Sequence, residues 1–236
     1  MIPLSRRNLI GAAGLGAGGL LLGGCDRINR SPAVRSVLGL GETANRSAQR
    51  LVTDRAALAP EFGRADLSPV FRTNGNAMPG APAYRELLQA GFANWRLIVD
   101  GLVAHPLAMS LDAIRAAPSR TQITRHDCVE GWSAIGQWTG LPLGLLLRRA
   151  GLSSAARFIV FHCADDFGGT PFYESIDLVD AFHPQTILAW SMNGAPLSVG
   201  HGAPLRLRVE RQLRSEERRV GKECENVCRA RWSPYH

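Results

Sequence analysis

The sequence predicts an α+β domain, because short strand patterns outnumber helical ones and no regular alternation of strand and helix occurs. The 236 residues are 45% hydrophobic and 20% charged, which suits one globular domain with a substantial core and additional segments at its ends. The formal net charge is +7. No cluster of Lys and Arg is interleaved with aromatic residues, so binding to nucleic acid is not expected.

The first 25 residues have the pattern of a bacterial export signal. Arg6 and Arg7 precede an apolar run rich in Gly and Ala, which is too short to span a bilayer as a mature helix. The arginine pair resembles a twin-arginine (Tat) signal, which implies export of a folded protein. The run ends in Leu-Gly-Gly-Cys25, which resembles a lipoprotein cleavage box. We expect a periplasmic protein, anchored to the inner membrane if Cys25 is lipidated; otherwise Cys25 is incidental to a plain Tat signal.

The body of the domain is expected to span residues 68–213. Residues 26–67 are interpreted as a linker with a short helix around 44–58. Residues 214–236 differ from the rest in their density of Arg, Glu and Lys, and they resemble a translated sequencing adapter fused to the gene. Without the signal and this tail, Cys128 and Cys163 are the only cysteines, so a disulfide framework is not expected.

The first half of the body alternates turns with short elements. Asn74-Gly75 marks a turn, and Asp100-Gly101 predicts a tight hairpin into Leu102-Val103. The other predicted elements are a helix at Tyr84–Ala90, a strand at Trp95–Val99, and a helix at Leu111–Ala117 that is capped by Ser110 and stopped by Pro118.

The second half of the body contains more strand patterns. A short strand, Thr121–Thr124, leads to Cys128, and the amphipathic run Leu141–Ala150 predicts a helix that ends at Gly151. The remaining predicted elements are strands at Arg157–Cys163, Tyr173–Ile176 and Thr186–Met192, a helical turn at Leu178–Ala181, an Asn193-Gly194 hairpin turn, and a half-exposed strand at Leu205–Gln212.

Cys128 is the strongest candidate for a functional residue on side-chain chemistry alone. It follows a predicted strand and stands among charged neighbours that include Arg125 and His126. A thiolate in such a place can bind a soft metal ion, act as a nucleophile or simply fill the core. A nucleophile would need a histidine base, for which His105, His162, His183 and His201 are the candidates. No pair of cysteines in the body has the spacing of a zinc site.

Several blocks of sequence, in order from about residue 68 to 213, carry a family resemblance. They are RHDCVEGWS, WTGLPLGLLL, FHCADD, FYESIDL, HPQTILAW, MNGAPL and HGAPLRLRVE. Together they resemble the sulfite oxidase family of molybdopterin-dependent oxidoreductases, most closely the bacterial Tat-exported members related to the methionine-sulfoxide reductase catalytic subunit. The resemblance implies a mixed, β-rich molybdopterin-binding domain whose molybdenum is ligated by the pterin dithiolene, by oxo groups and by the thiolate of Cys128.

The resemblance also implies a set of cofactor-binding residues. Arg206 matches an arginine that contacts the cofactor, although Arg208 shares its strand face and could take that role. His201 stands where many relatives have a cofactor-contacting asparagine, and Cys163 stands roughly where some have a threonine. Asn74 matches an early cofactor contact, with Asn76 as an alternative.

Other residues are expected to line the site. Arg125 and His126 are expected near the metal, where they could attract the substrate; alternatively they pair with Asp127 or Asp165. Tyr173 could face the metal or pack across strands. Trp132 and Trp138 are expected in the core.

The resemblance predicts an exported enzyme that transfers an oxygen atom at molybdenum. Relatives continue with a Gly-Tyr-Lys-like segment that holds the pterin phosphate, which residues 214–236 replace here, so the domain is expected to be C-terminally truncated and to bind cofactor poorly. The substrate would be a small molecule. No haem motif occurs, so electrons would pass through a separate protein, for which a membrane cytochrome is one candidate. The alternative is a periplasmic lipoprotein or binding module, without enzymatic activity, in which Cys128 is structural.

Overall fold

The structure, a computed structural model, describes residues 54–73, 77–128, 130–167 and 170–211, with isolated positions between 31 and 48. Side chains are described except at 165–167, 170 and 171. The predicted signal, Asn74 and the tail from 214 onward lie outside these residues. The chain divides into two compact units, Met1–Arg55 and Ala56–His236. The described positions from 32 to 48 are helical, whereas residues 54–58 are not, so the helix predicted around 44–58 does not reach its predicted end.

The second unit has the predicted α+β composition. Its described strands are β1 Arg96–Val99, β2 Leu107–Ser110, β3 Arg120–Asp127, β4 Ser133–Pro142, β5 Phe158–Phe167, β6 Thr170–Asp177, β7 Ile187–Met192, β8 Ala195–Pro196 and β9 Arg206–Arg208. Its described α-helices are α1 Pro82–Gln89, α2 Leu111–Arg115, α3 Leu143–Ala150 and α4 Leu178–Ala181. Among the described residues, no helix combines the length and apolar character needed to cross a membrane.

An antiparallel five-stranded sheet forms the centre of this unit. Strand β4 pairs with β3 on one side and with β7 on the other, and β8 and β9 share the far edge of β7. Two hairpins, β1–β2 and β5–β6, form separate two-stranded sheets. The order β3-β4-β7 brings the end of β3 and the strand β9 into one sheet although they are far apart in the chain.

The two faces of the central sheet differ in character, because side chains alternate along each strand. Leu188 and Leu207 belong to a large apolar cluster that includes α3 and β1. Their strand neighbours Ile187 and Ala189 belong to a second, smaller cluster that includes Trp138. On β9, Arg206 and Arg208 alternate with Leu207 and lie on this second face. We call the face with Trp138 and the two arginines the polar face.

Several predicted local features are confirmed. The Ser110 Oγ accepts a hydrogen bond from the Ala113 N–H at 3.2 Å and caps α2. Gly151 ends α3 in the left-handed region, with φ of 67°. Asn193 and Gly194 also have positive φ and form the tight turn between β7 and β8.

The tight hairpin predicted at Asp100-Gly101 is wrong. The strand that returns to β1 is β2, and the segment between them pairs instead with the end of α3. The Ala104 N–H donates to the Gly151 carbonyl at 2.9 Å, and the Ser153 N–H donates to the Leu102 carbonyl at 2.9 Å. The last carbonyls of a helix lack donors within the helix, and the His105 N–H supplies one by donating to the Ala150 carbonyl at 2.9 Å.

Strand β4 was not predicted, and it changes the bounds of its neighbours. The run WTGLP is equally compatible with a buried strand or a helix. In the structure Leu141 and Pro142 end β4, whereas the prediction had the helix begin at Leu141. The last strand also differs from prediction, since β9 covers only Arg206–Arg208 and all three residues are buried. The alternating pattern there reflects two buried faces rather than one exposed face.

Candidate active site

Cys128 lies in the tight turn that joins β3 to β4. Its N–H donates to the Trp132 carbonyl at 2.9 Å, and its carbonyl accepts from the Gly131 N–H at 3.0 Å. Gly131 has φ of +84°, a conformation that favours glycine. On β3, Thr124 and His126 are buried on the polar face, and Cys128 continues this series by two residues with 7% of its surface exposed.

Arg125 points away from His126, because neighbouring residues on a strand face opposite sides. Its side chain is more than half exposed, and its Nε donates to Asp127 Oδ1 at 2.7 Å. Ser133 Oγ donates to the same carboxylate oxygen. The hydrogen bond from Ser133 lowers the pKa of Asp127 most; burial, the next largest effect, opposes it, and the hydrogen bond and charge of Arg125 lower the pKa further. The structure thus places Arg125 and His126 on opposite sides of β3, and the substrate role expected of both stays a prediction.

Phe71 is the centre of an aromatic cluster that encloses His126. Its ring centroid lies 5.7 Å from that of His126, 5.8 Å from that of Trp132 and 5.5 Å from that of Trp138. The rings of His126 and Trp132 are 5.4 Å apart. Trp138 is fully buried, as predicted, whereas Trp132 is only half-buried. Sequence reasoning missed Phe71; the available signal was a single aromatic residue within a turn-rich stretch.

His201 connects the loop before β9 to the segment that carries Phe71. Its Nε2 is 3.1 Å from the Phe71 carbonyl oxygen, and its Nδ1 is 2.8 Å from Ser198 Oγ. A Cβ at Gly200 would lie 2.7 Å from Thr73 Oγ1, so glycine permits a close approach here. The loop therefore lies against residues 71–73, immediately before Asn74. Asn74 itself is outside the described residues, and its cofactor contact stays a prediction.

The two arginines of β9 have different surroundings. Arg206 Nη1 donates to the His201 carbonyl at 3.3 Å, and its guanidinium carbon lies 5.5 Å from the centre of the Trp138 ring. Arg208 lies closer to that ring, at 4.4 Å, and forms an ion pair with Glu210 at 2.6 Å. A carboxylate balances the charge of Arg208, and the cofactor role expected of Arg206 stays a prediction.

Cys163 and Tyr173 lie outside this group, on the β5–β6 hairpin. Cys163 is half-buried, and its Sγ is 4.0 Å from the Phe161 carbonyl oxygen. Tyr173 is 65% exposed, and its ring lies 6.5 Å from that of His162, its partner across the hairpin. This arrangement matches cross-strand packing for Tyr173. The cofactor role of Cys163 stays a prediction.

The residues on the polar face fit the predicted cofactor in their chemistry. In the part of the chain that the structure describes, no three His, Cys, Asp or Glu side chains lie close enough together to hold a metal ion. A metal that arrives with its own dithiolene needs one protein thiolate, and Cys128 can supply it. Arg206 can donate to an anion, whereas the described hydrogen bonds of His201 engage both of its ring nitrogens. Trp138 Nε1 and Thr124 Oγ1 are buried on this face without a hydrogen-bond partner among the described residues.

The comparisons with known proteins concern most of this unit. The profile of the oxidoreductase molybdopterin-binding domain family matches residues 85–216. A protein of Azospira oryzae, provisionally named protein-methionine-sulfoxide reductase subunit YedZ1, is 40% identical over 197 residues, which cover 83% of this chain and 71% of that protein. The protein-methionine-sulfoxide reductase catalytic subunit MsrP of Xanthomonas axonopodis pv. citri is 37% identical over 126 residues, which cover 49% of this chain and 39% of MsrP.

Among solved structures, the sulfane dehydrogenase SoxCD of Paracoccus pantotrophus is similar with a TM-score of 0.45 and 24% identity, covering 50% of this chain and 34% of that one. The chain thus spans well under half the length of MsrP and of this SoxCD chain. The family, the enzyme class and the molybdenum–molybdopterin cofactor that the sequence blocks implied are confirmed by the family match. The chain belongs to the oxidoreductase molybdopterin-binding domain family.

Proposed function

We propose that this chain is an exported oxidoreductase that removes the oxygen atom from sulfoxides, methionine sulfoxide in particular, at a molybdenum ligated by Cys128. The observation that carries the proposal is the position of Cys128, buried on the same strand face as His126 in a sheet that also places Arg206 on that face. The substrate class rests on the names of the two methionine-sulfoxide reductase relatives.

The reaction requires two electrons and two protons for each sulfoxide, and it yields a thioether and water. When bound, molybdenum–molybdopterin supplies two-electron oxygen-atom transfer between Mo(VI) and Mo(IV). In this proposal Cys128 holds the metal as a thiolate, and Arg206 donates hydrogen bonds to the cofactor. His201 holds the loop before β9 against the segment that carries Phe71. His126 offers an N–H on the same face as Cys128.

The aromatic cluster is suited to a thioether or sulfoxide substrate. Phe71 and Trp138 keep water from the inner side of His126, while the half-buried Trp132 lies nearer the surface. The Trp132 indole is held by its N–H, which donates to Glu130 Oε2 at 3.0 Å. Sulfur next to an aromatic ring is a favourable contact, so we assign Trp132 to the rim that receives the methyl-sulfur group.

Export and electron supply complete the proposal. The twin arginine and Cys25 support a periplasmic protein with a lipid anchor on the inner membrane, because the Tat route carries folded, cofactor-loaded proteins. The relatives are named as subunits, which supports a separate partner that delivers the electrons. A membrane cytochrome close to the anchor would meet this need.

The test loads the wild-type chain, Cys128→Ser and Cys163→Ser with cofactor and compares the sulfur ligands of the molybdenum that each retains. X-ray absorption should show one sulfur ligand fewer in Cys128→Ser, together with loss of methionine-sulfoxide reduction by a reduced viologen dye. Cys163→Ser is the matched control, because it removes a thiol on another sheet, and it should keep the wild-type sulfur count. Equal sulfur counts in wild type and Cys128→Ser would show that Cys128 is not the ligand.

The tail needs its own comparison, because residues 214–236 are expected to weaken cofactor binding. The same measurements are made on a chain in which these residues are replaced by the corresponding segment of the Azospira oryzae relative. The proposal requires about one molybdenum per chain in that version. Absence of molybdenum from both versions would contradict the proposal and favour a structural role for Cys128.

A further inference from the structure

A fully buried ion pair, formed by Arg208 and Glu210, lies next to His126 on the polar face. Arg208 and Glu210 each have 1% of their side-chain surface exposed. Arg208 Nη2 lies 2.6 Å from Glu210 Oε2, and Arg208 Nε donates to Glu210 Oε1 at 3.2 Å. Burying two charges is costly, and apolar residues of similar volume often give equal or greater stability. A role beyond stability therefore has to be sought in the other contacts of the pair.

The third contact of Arg208 reaches the residue two positions before Cys128. Arg208 Nη1 lies 3.2 Å from His126 Nδ1, and both groups are buried. A guanidinium can only donate hydrogen bonds, so His126 Nδ1 must be the acceptor. The ring proton of a neutral His126 is then on Nε2. Arg208 thus fixes both the tautomer and the orientation of this imidazole.

The carboxylate of Glu210 is itself held in place from β3. Gln122 Nε2 donates to Glu210 Oε1 at 2.8 Å and to the Gln185 carbonyl at 3.0 Å. Gln122 Oε1 in turn accepts from Arg120 Nε at 2.9 Å. Gln122 and His126 share one face of β3, so the hydrogen bonds run from β3 to β9 and back to β3. The Trp138 ring, 4.4 Å from the guanidinium carbon of Arg208, supports its plane from one side.

We propose that Arg208 and Glu210 are positioning residues, which hold His126 as a fixed Nε2–H donor beside Cys128. Glu210 orients the planar guanidinium, and the guanidinium occupies the Nδ1 lone pair. The Nε2–H is then the donor that the site presents to the substrate oxygen. This last step rests on the proposed function, whereas the tautomer of His126 follows from the contacts alone.

The first test reads the tautomer directly in the full chain, by long-range proton–nitrogen NMR with labelled histidine. The His126 signals are identified by their loss in His126→Gln. Wild type should show Nδ1 without a proton and Nε2 with one. The double variant Arg208→Leu/Glu210→Leu removes both charges together, so that no lone charge is buried, and it should show a mixture of tautomers. Unchanged His126 signals in the folded double variant would overturn the inference.

Two further variants keep the test decisive. Arg208→Lys retains the charge beside Glu210 but loses the planar guanidinium, so it should also give a mixture of His126 tautomers. It replaces the double variant if that variant does not fold. Arg115→Met removes an exposed arginine that pairs with Asp112 at 3.8 Å on α2, and it should leave the His126 signals unchanged. A wild-type His126 protonated on Nδ1 would refute the inference without any variant.

The second test separates positioning from cofactor binding. In a cofactor-loaded enzyme, Arg208→Lys should lower kcat for sulfoxide reduction roughly tenfold to a hundredfold, which is part of the roughly 10²–10⁴-fold that a well-placed proton donor contributes. KM and molybdenum content should stay near the wild-type values. A wild-type kcat in a variant whose tautomer is released would refute the role of Nε2–H in the reaction. If the wild-type chain has molybdenum but no sulfoxide activity, the proposed function fails while the NMR result still decides the positioning.

Discussion

Gly140 shows how a single residue determines the approach of two central strands. The pairing of β4 with β7 shifts register between Thr139 and Gly140. A Cβ at Gly140 would lie 2.4 Å from the Leu188 carbonyl oxygen and 2.6 Å from the Ala189 Cα, and both are backbone atoms that cannot rotate away. Glycine therefore allows the bulge that brings Trp138 and the polar side of β7 together.

Gly140→Ala is expected to destabilise the fold by roughly 2–3 kcal/mol or more, because β4 and β7 would have to move apart. The free energy of unfolding from urea denaturation measures this effect. Gly63→Ala is the matched control, since its Cβ would meet only the carboxylate Oδ2 of Asp66, at 3.3 Å, on an exposed turn. Equal stability of the two alanine variants would show that the strands can separate at little cost.

At the scale of single elements, the end of α4 is followed by a buried titratable group. His183 follows the helix, is 6% exposed, and accepts a hydrogen bond at Nδ1 from the Gln185 N–H at 3.2 Å. Burial lowers the pKa of His183, and the charge of Arg211 contributes in the same direction, although hydrogen bonds to the Ala57 backbone and the charge of Asp180 partly oppose this. The native state therefore favours the neutral imidazole.

This depressed pKa fixes the sign of a pH effect. The unfolded chain binds the proton more tightly, so stability from His183 is complete above its unfolded pKa of about 6.5 and is lost as the pH falls below that value. Wild type should therefore lose stability between about pH 7 and pH 5, by up to about 1.4 kcal/mol per pH unit from this group. His183→Asn retains an acceptor for Gln185 and should show a smaller slope. Identical slopes in urea unfolding across this range would contradict the assignment.

At the scale of the whole molecule, the candidate active site joins parts that are distant in sequence. Residues 71–73, the β3–β4 turn, the loop at Val199–His201 and β9 meet on the polar face, and the opposite face of the sheet holds the large apolar core. Apolar packing on the core face stabilises the sheet, so residues on the polar face can change with less effect on the fold. A ligand that bridges these segments should therefore act on the stability of the whole unit.

Cofactor loading should raise the unfolding temperature of the chain. A ligand at a hundred times its Kd stabilises the native state by about 2.7 kcal/mol if it does not bind the unfolded chain. For a chain of this size that corresponds to roughly 5–10 °C in Tm. Calorimetry of cofactor-loaded and cofactor-free protein, with molybdenum content measured on the same samples, tests this. A loaded protein with an unchanged Tm would indicate that the cofactor does not bridge the segments.

The sequence was most informative where the signal is local. Ser110, Gly151 and the Asn193-Gly194 turn were predicted because caps and turns depend on neighbouring residues. Strand β4 was missed because an apolar run has no period that separates strand from helix. Cys128 was singled out by its position and its charged neighbours and then by the family resemblance, and Arg206 by the resemblance alone; the roles of both stay predictions. The Arg208–His126 contact could not be predicted, because it joins residues 82 positions apart and places a charged strand in the interior.

The separation of Arg125 from His126 could have been predicted, because it needs only the period of a strand. Extending the predicted strand from Thr124 to Asp127 would have placed the two residues on opposite faces. The predicted strand ended at Thr124, so it gave no reason to expect Arg125 and His126 on different faces.

That alternation along β3 has an evolutionary consequence. Arg125 and Asp127 determine the outer surface beside the Cys128 turn, whereas His126 lies among buried partners. Mutations at the two outer positions can alter the surface beside the Cys128 turn while leaving the buried contacts of His126 intact. Successive codons of one strand are thus exposed to separate selection pressures, one on the outer surface and one on the interior.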